Sequence, residues 1–101
     1  MNGGGHRISI DRNAYGLRPR VTFTPDPLHA STLDQIFWTN NDSDAHWPGL
    51  LNANETINTT FFMPSRIGNG ETSPSFVPTT PAVFNYVCSI HPDERGVIIV
   101  V

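Results

Sequence analysis

Nine prolines and eight glycines, spread along 101 residues, cut this chain into apolar segments too short to carry several helical turns. Proline removes a backbone donor and clashes inside a helix, and glycine loses the most conformational freedom there, so a chain punctuated this way has few places to build one. The intervening segments are rich in β-branched and aromatic residues, leucine and alanine are few, and no stretch sustains a 3.6-residue period. That pattern specifies an all-β chain. Candidate strands are His6–Ile10, Arg20–Thr24, Asp34–Asn40, Thr56–Phe62, Ser73–Val77, Val83–Cys88 and Gly96–Val101. About seven short strands joined by turns suit an antiparallel β-sandwich, read as a single domain over residues 6–101. Residues 1–5, with the run Gly3-Gly4-Gly5, read as a flexible N-terminal segment.

Within that frame, Val97 to Val101 is apolar at every position, which implies a last strand in the middle of a sheet with both faces covered. In Val83–Cys88 the alternation puts Phe84, Tyr86 and Cys88 on one face, so the sulfur points with two aromatic rings. Pro48–Thr56 and Met63–Thr72 read as irregular, and Pro64–Gly70 as a mobile surface loop. Met63, Trp38 and Tyr86 read as core residues, and His6 and His29 as surface histidines.

Charge and cysteine usage narrow the function. Six basic residues, all arginine and scattered, against nine acidic ones give a net charge of −3, which argues against an extended nucleic-acid surface. No apolar run approaches the ~20 residues of a membrane-spanning helix, and no signal-peptide pattern opens the sequence. The single cysteine, Cys88, excludes an internal disulfide, leaving a buried core thiol or a chemically employed one.

The chemistry gathers at Cys88-Ser89-Ile90-His91-Pro92-Asp93-Glu94, a Cys-x-x-His-x-x-Glu spacing in one hairpin loop. Thiolate, imidazole and carboxylate, each three residues apart, can converge when a short loop turns back on itself, and they are donors for copper or zinc. Taken alone, Cys-x-x-His occurs by chance and a buried thiol is a common core residue. Upstream, Asn40-Asn41-Asp42-Ser43-Asp44-Ala45-His46 follows a strand, which would bring His46 to the same end of the sandwich.

Three stretches together resemble the cupredoxins, the small blue copper proteins, and within them amicyanin- and plastocyanin-like domains. They are Thr24-Pro25 leading to Asp34-x-Ile36-x-Trp38-x-Asn40-Asn41; His46 after the polar turn; and Phe84-x-Tyr86-x-Cys88-x-x-His91-Pro92-x-x-Arg95-Gly96-x-Ile98-x-Val100. The resemblance spans roughly residues 21 to 101. It implies a cupredoxin-like Greek-key β-sandwich holding one copper ion on His46, Cys88 and His91, cycling between Cu(I) and Cu(II) to shuttle electrons between redox partner proteins. It also implies a periplasmic or extracellular location, with membrane tethering in a full-length form.

Two departures from the family pattern matter. The amicyanin-type loop reads Cys-x-x-His-Pro-x-Met-Arg-Gly, and Glu94 stands where that methionine is the weak axial ligand. A carboxylate is a harder donor than a thioether and favours Cu(II), so the expected site is His46, Cys88, His91 and Glu94. Asp93 is the substitute carboxylate if Glu94 points to water. The second departure is Trp47, where many members carry an asparagine that braces the ligand loop; Ser89 keeps a hydroxyl for that role without its usual partner. Trp47, Pro48, Leu50, Ile90 and Pro92 flank the ligands, either as an apolar docking collar around His91 or as loop packing.

An electron carrier is therefore expected rather than an enzyme. The alternatives are a reactive, red-copper-like centre binding a small molecule such as nitric oxide, and a copper-carrying or sensing module of a larger protein. Zinc fits the same four donors, whereas a dinuclear copper site would need a second cysteine.

Overall fold

The computed structural model describes residues 4–14 and 18–101, so residues 1–3 of the expected flexible segment lie outside the described residues. Eight strands form: β1 (Gly5–Arg12), β2 (Val21–Thr24), β3 (Leu28–Ala30), β4 (Gln35–Asn40), β5 (Pro48–Leu51), β6 (Ile57–Asn58), β7 (Ala82–Cys88) and β8 (Arg95–Val100). They make a three-stranded sheet in the order β2-β1-β4 and a five-stranded sheet in the order β3-β8-β7-β5-β6. No α-helix occurs among the described residues. β1 begins at Gly5, one residue before the expected strand His6–Ile10, and Gly4 is held by Asp34 and Gln35.

The all-β reading and the sandwich hold, and the pairing is mixed rather than purely antiparallel. β1 lies parallel to β4, and β3 parallel to β8. Parallel neighbours need a crossover connection, and here the chain supplies it by switching sheets between them, as from β2 to β3 and from β3 to β4.

Two strands escaped the sequence reading for physical reasons. β3 has three residues between Pro27 and the turn at Ser31, too few to show alternation. β5 opens on Pro48, which has no N–H to donate, and proline is accepted at the first residue of a strand. The expected Thr56–Phe62 strand shrinks to Ile57–Asn58. The expected Ser73–Val77 strand is instead a cover along the free edge of β4. Ile36 and Phe76 exchange both backbone hydrogen bonds, Ser73 N–H donates to Trp38 O, and Ser73 Oγ accepts from Trp38 N–H. Pro74 cannot donate to a ladder, which limits this stretch to isolated bridges.

Side-chain alternation builds the core. Ile8 and Ile10 of β1 and Ile36 and Trp38 of β4 face Tyr86 of β7 and Ile98 and Val100 of β8, and Phe62 and Met63 close one side. Trp38 and Tyr86 meet edge to face with ring centroids 5.4 Å apart, and Phe23 meets Tyr86 the same way at 5.0 Å. Each such pair contributes about 0.5–1.5 kcal/mol beyond its buried area. β8 does lie inside its sheet, between β3 and β7, but only its Ile98 and Val100 face is fully buried. Val97 and Ile99 are half-covered, and Val101 lies exposed past the strand end.

Gly96 is directly opposite Tyr86 in the β7–β8 ladder, and the Tyr86 ring crosses it so closely that a Cβ there would overlap Oη and Cζ. Gly96→Ala is expected to destabilise the fold by about 1–3 kcal/mol, read as a lowered urea midpoint. At the opposite end of β4, Asp34 accepts from the backbone of Ser31, from His6 Nε2 at 2.7 Å and from the backbone of Gly4, which holds its carboxyl below the usual range. A folded-state pKa below the unfolded value of ~3.9 adds stability above that pH, lost as pH falls further. The stability difference between wild type and Asp34→Asn should shrink as thermal unfolding is followed from pH 5 to pH 2.

Candidate metal centre

One end of the sandwich collects three chain segments. Cys88 is the last residue of β7, and two turns follow it directly. His91 N–H donates to Cys88 O at 3.1 Å and Glu94 N–H donates to His91 O at 3.0 Å. Pro92 sits in the second turn at the position its fixed φ favours. Cys88 N–H then donates to Glu94 O at 2.9 Å, closing the loop at the mouth of the β7–β8 ladder. Two consecutive three-residue steps therefore bring residues 88, 91 and 94 to one side, as their spacing implied.

His46 arrives from β4 through the polar turn, and its backbone exchanges hydrogen bonds with Ile67 at 3.0 and 2.9 Å. The segment read as a mobile loop is the strut for this residue. Ile67 is buried in the core, and its carbonyl also accepts from Asn40 Nδ2. Gly70 N–H donates to Asn40 O, with Gly70 at φ 77°, a left-handed backbone that suits glycine.

The ligating atoms of His46, Cys88, His91 and Glu94 all lie within 4.8 Å of one another. Glu94 Oε1 is 3.0 Å from His46 Nδ1 and 3.2 Å from His91 Nδ1, and Cys88 Sγ is 3.8 and 3.5 Å from the same two nitrogens. Metal–ligand bonds of about 2.0–2.3 Å set donor atoms about this far apart. Glu94 is 1% exposed, so its carboxylate faces the cluster, whereas Asp93 is exposed. His91 alone of the four reaches the surface, its side chain 26% exposed. The Trp47 N–H donates to Cys88 Sγ at 3.3 Å.

Two residues of this end passed unnoticed in the sequence. Asp42, buried, accepts from His46 Nε2 at 2.8 Å and holds Arg12 through Nε at 2.7 Å and a terminal nitrogen at 3.1 Å. The Asp42-x-x-x-His46 spacing was visible; Arg12 was not, because only the parallel β1–β4 pairing puts the end of β1 beside this turn. Burial works against ionisation of Asp42, yet Arg12 and His46 outweigh it and hold the carboxyl well below its ordinary range. Burial likewise opposes charge on His46, but the Cys88 thiol, Asp42 and Glu94 outweigh it and raise its pKa to about 9.

The flanking apolar residues divide. Ile90 and Pro92 are exposed beside His91, whereas Pro48 is buried and Trp47 and Leu50 pack against the core, with Trp47 Nε1 donating to Met63 O. Ser89 Oγ is buried without a hydrogen-bond partner among the described residues. His6 is half-buried on Asp34, and His29 is exposed.

A solved structure described as a novel purple cupredoxin from Nitrosopumilus maritimus superposes with a TM-score of 0.81 at 24% identity, covering 94% of this chain and 98% of that one. The chain has the cupredoxin fold. Amicyanin from Paracoccus versutus matches at a TM-score of 0.71 and 13% identity, over 96% of this chain and 81% of that one. A reduced mutant of amicyanin matches at 0.72 and 16%, over 97% and 83%. No protein-family model and no curated protein matches the sequence. At these identities the cupredoxin likeness is one of fold.

Proposed function

We propose that this cupredoxin-fold chain is a mononuclear copper protein that carries single electrons, with His46, Cys88 and His91 as the residues that would hold the metal and Glu94 as a fourth. The observation that carries this reading is the convergence of these four donors at the end of a β-sandwich, three of them buried. Copper, when bound, supplies a one-electron couple; the thiolate and two imidazoles suit both of its oxidation states. The chain's part is to hold the donors still. Cys88 and His46 sit at the ends of segments fixed by backbone pairing, so the sheets rather than the loop determine their separation. The Trp47 N–H on Cys88 Sγ constrains the sulfur further. Little rearrangement on electron transfer follows from such a frame.

The exposed edge of His91, with Ile90 and Pro92 beside it, is the proposed contact for redox partner proteins. No helix among the described residues is long and apolar enough to cross a membrane. We place the protein in the periplasm or outside the cell, where the fold is commonly used. The burial of Glu94 against both histidines also favours a second reading, a reactive centre in which a strong carboxylate ligand supports small-molecule binding. Tight binding of azide or nitric oxide with large spectral changes selects that reading; reversible voltammetry without such binding selects the carrier.

Metal analysis and the visible spectrum of the copper-loaded protein test the central claim. An intense thiolate-to-copper band is expected with one copper per chain, and Cys88→Ser should abolish it; colour that survives overturns the ligand assignment, and zinc in place of copper overturns the function. Glu94→Met should turn the spectrum towards blue and raise the reduction potential, since each tenfold loss of preference for Cu(II) raises a one-electron potential by about 59 mV. Asp93→Ala should change neither quantity.

A further inference from the structure

We propose that Asp42, clamped by Arg12, is a positioning residue that keeps a proton on His46 Nε2 and so presents Nδ1 to the metal. This rests on the copper reading above and adds residues to it. Asp42 is 3% exposed, and both its carboxylate oxygens are engaged by Arg12, with Oδ2 shared by His46 Nε2. A carboxylate paired in this two-pronged way with a guanidinium is anionic and can only accept, so the nitrogen facing it must carry hydrogen. The opposite nitrogen, Nδ1, faces Cys88 Sγ and Glu94 Oε1, where the metal would sit.

The side chains of Asn40 and Asn69 hold the Asp42 backbone in place independently of Arg12. Its N–H donates to Asn40 Oδ1 at 2.9 Å, its carbonyl accepts from Asn69 Nδ2 at 2.8 Å, and Asn40 Nδ2 ties down the next turn through Asp44 O at 2.8 Å. Asp42 is therefore a fixed acceptor, and the imidazole rotates only by breaking a buried bond. A carboxylate on the far nitrogen also makes an imidazole a stronger donor, which favours the more highly charged metal. Arg12, whose side chain is 39% exposed, acts in the opposite sense by offsetting the Asp42 charge. The two residues should thus move the copper potential in opposite directions, whereas simple loosening of the site would move it one way for both.

The test combines potentials with proton exchange at His46. Asp42→Asn keeps an acceptor oxygen and removes the charge. It should weaken Cu(II) binding about tenfold while leaving Cu(I) binding within about twofold, which raises the potential by about 59 mV. Arg12→Gln should lower the potential, and the double variant should return towards wild type. Shifts of the same sign in both single variants, or equal weakening of Cu(I) and Cu(II), overturn the proposal in favour of a merely structural role. If Asp42→Asn does not fold, the sign of the Arg12→Gln shift decides: no change or a rise overturns it. Nitrogen-15 NMR supplies a readout free of copper, because the His46 Nε2–H should exchange slowly with solvent in wild type and quickly in Asp42→Ala. A fast-exchanging Nε2–H in wild type overturns the role of Asp42 whether or not copper binds. Failure of wild type to take up copper overturns the copper reading instead, and the exchange measurement then stands alone.

Discussion

Burying an imidazole, a thiol and two carboxylates beside a half-covered second imidazole at one end of an 11.2 kDa protein is costly unless every one of them has a partner. The local architecture answers that cost. Arg12 at the end of β1 neutralises Asp42, Asp42 takes up one nitrogen of His46, and the other nitrogen meets Glu94 and Cys88. Each link comes from a different part of the chain, so the cluster assembles only once β1, β4, β7 and β8 are in register. The apolar core beneath it, centred on Trp38 and Tyr86, supplies the free energy that lets this polar end exist.

The spacing of residues 88, 91 and 94 made half of this site legible, because a three-residue step is what successive turns require and nothing long-range is needed to close them. The fold class was legible for a similar reason: short β-branched segments between prolines leave few other outcomes. What stayed hidden depends on pairing between distant segments. The parallel β1–β4 register that delivers Arg12 has no local signature, and neither does the bond between His46 and Ile67. Pro64–Gly70 read as mobile because its glycines and lack of period are equally compatible with a rigid strut, and the deciding contact, Ile67 in the core, lies across the molecule. β5 was missed because proline marks a break until one knows that it begins the strand.

The four converging side chains stand on a strand end and a strutted turn as well as on the loop, and that division of labour leaves the side chain at position 94 free to vary at little cost to the others. Cys88 and His46 are held by the sheets and the Ile67 strut, so the side chain at position 94 can change without reorganising that frame. Glu94 keeps its backbone bonds to Cys88 and His91 whichever side chain it bears.

Of the four converging donors, His91 alone has an edge at the surface. For the proposed carrier, a partner supplying an electron and a partner receiving it through this edge would share the same small face. Two partners that both used that edge would compete for it, and transfer would then proceed through two successive binary encounters. Turnover in such a relay is governed by how quickly the first partner leaves, which places a premium on weak, short-lived association over tight recognition.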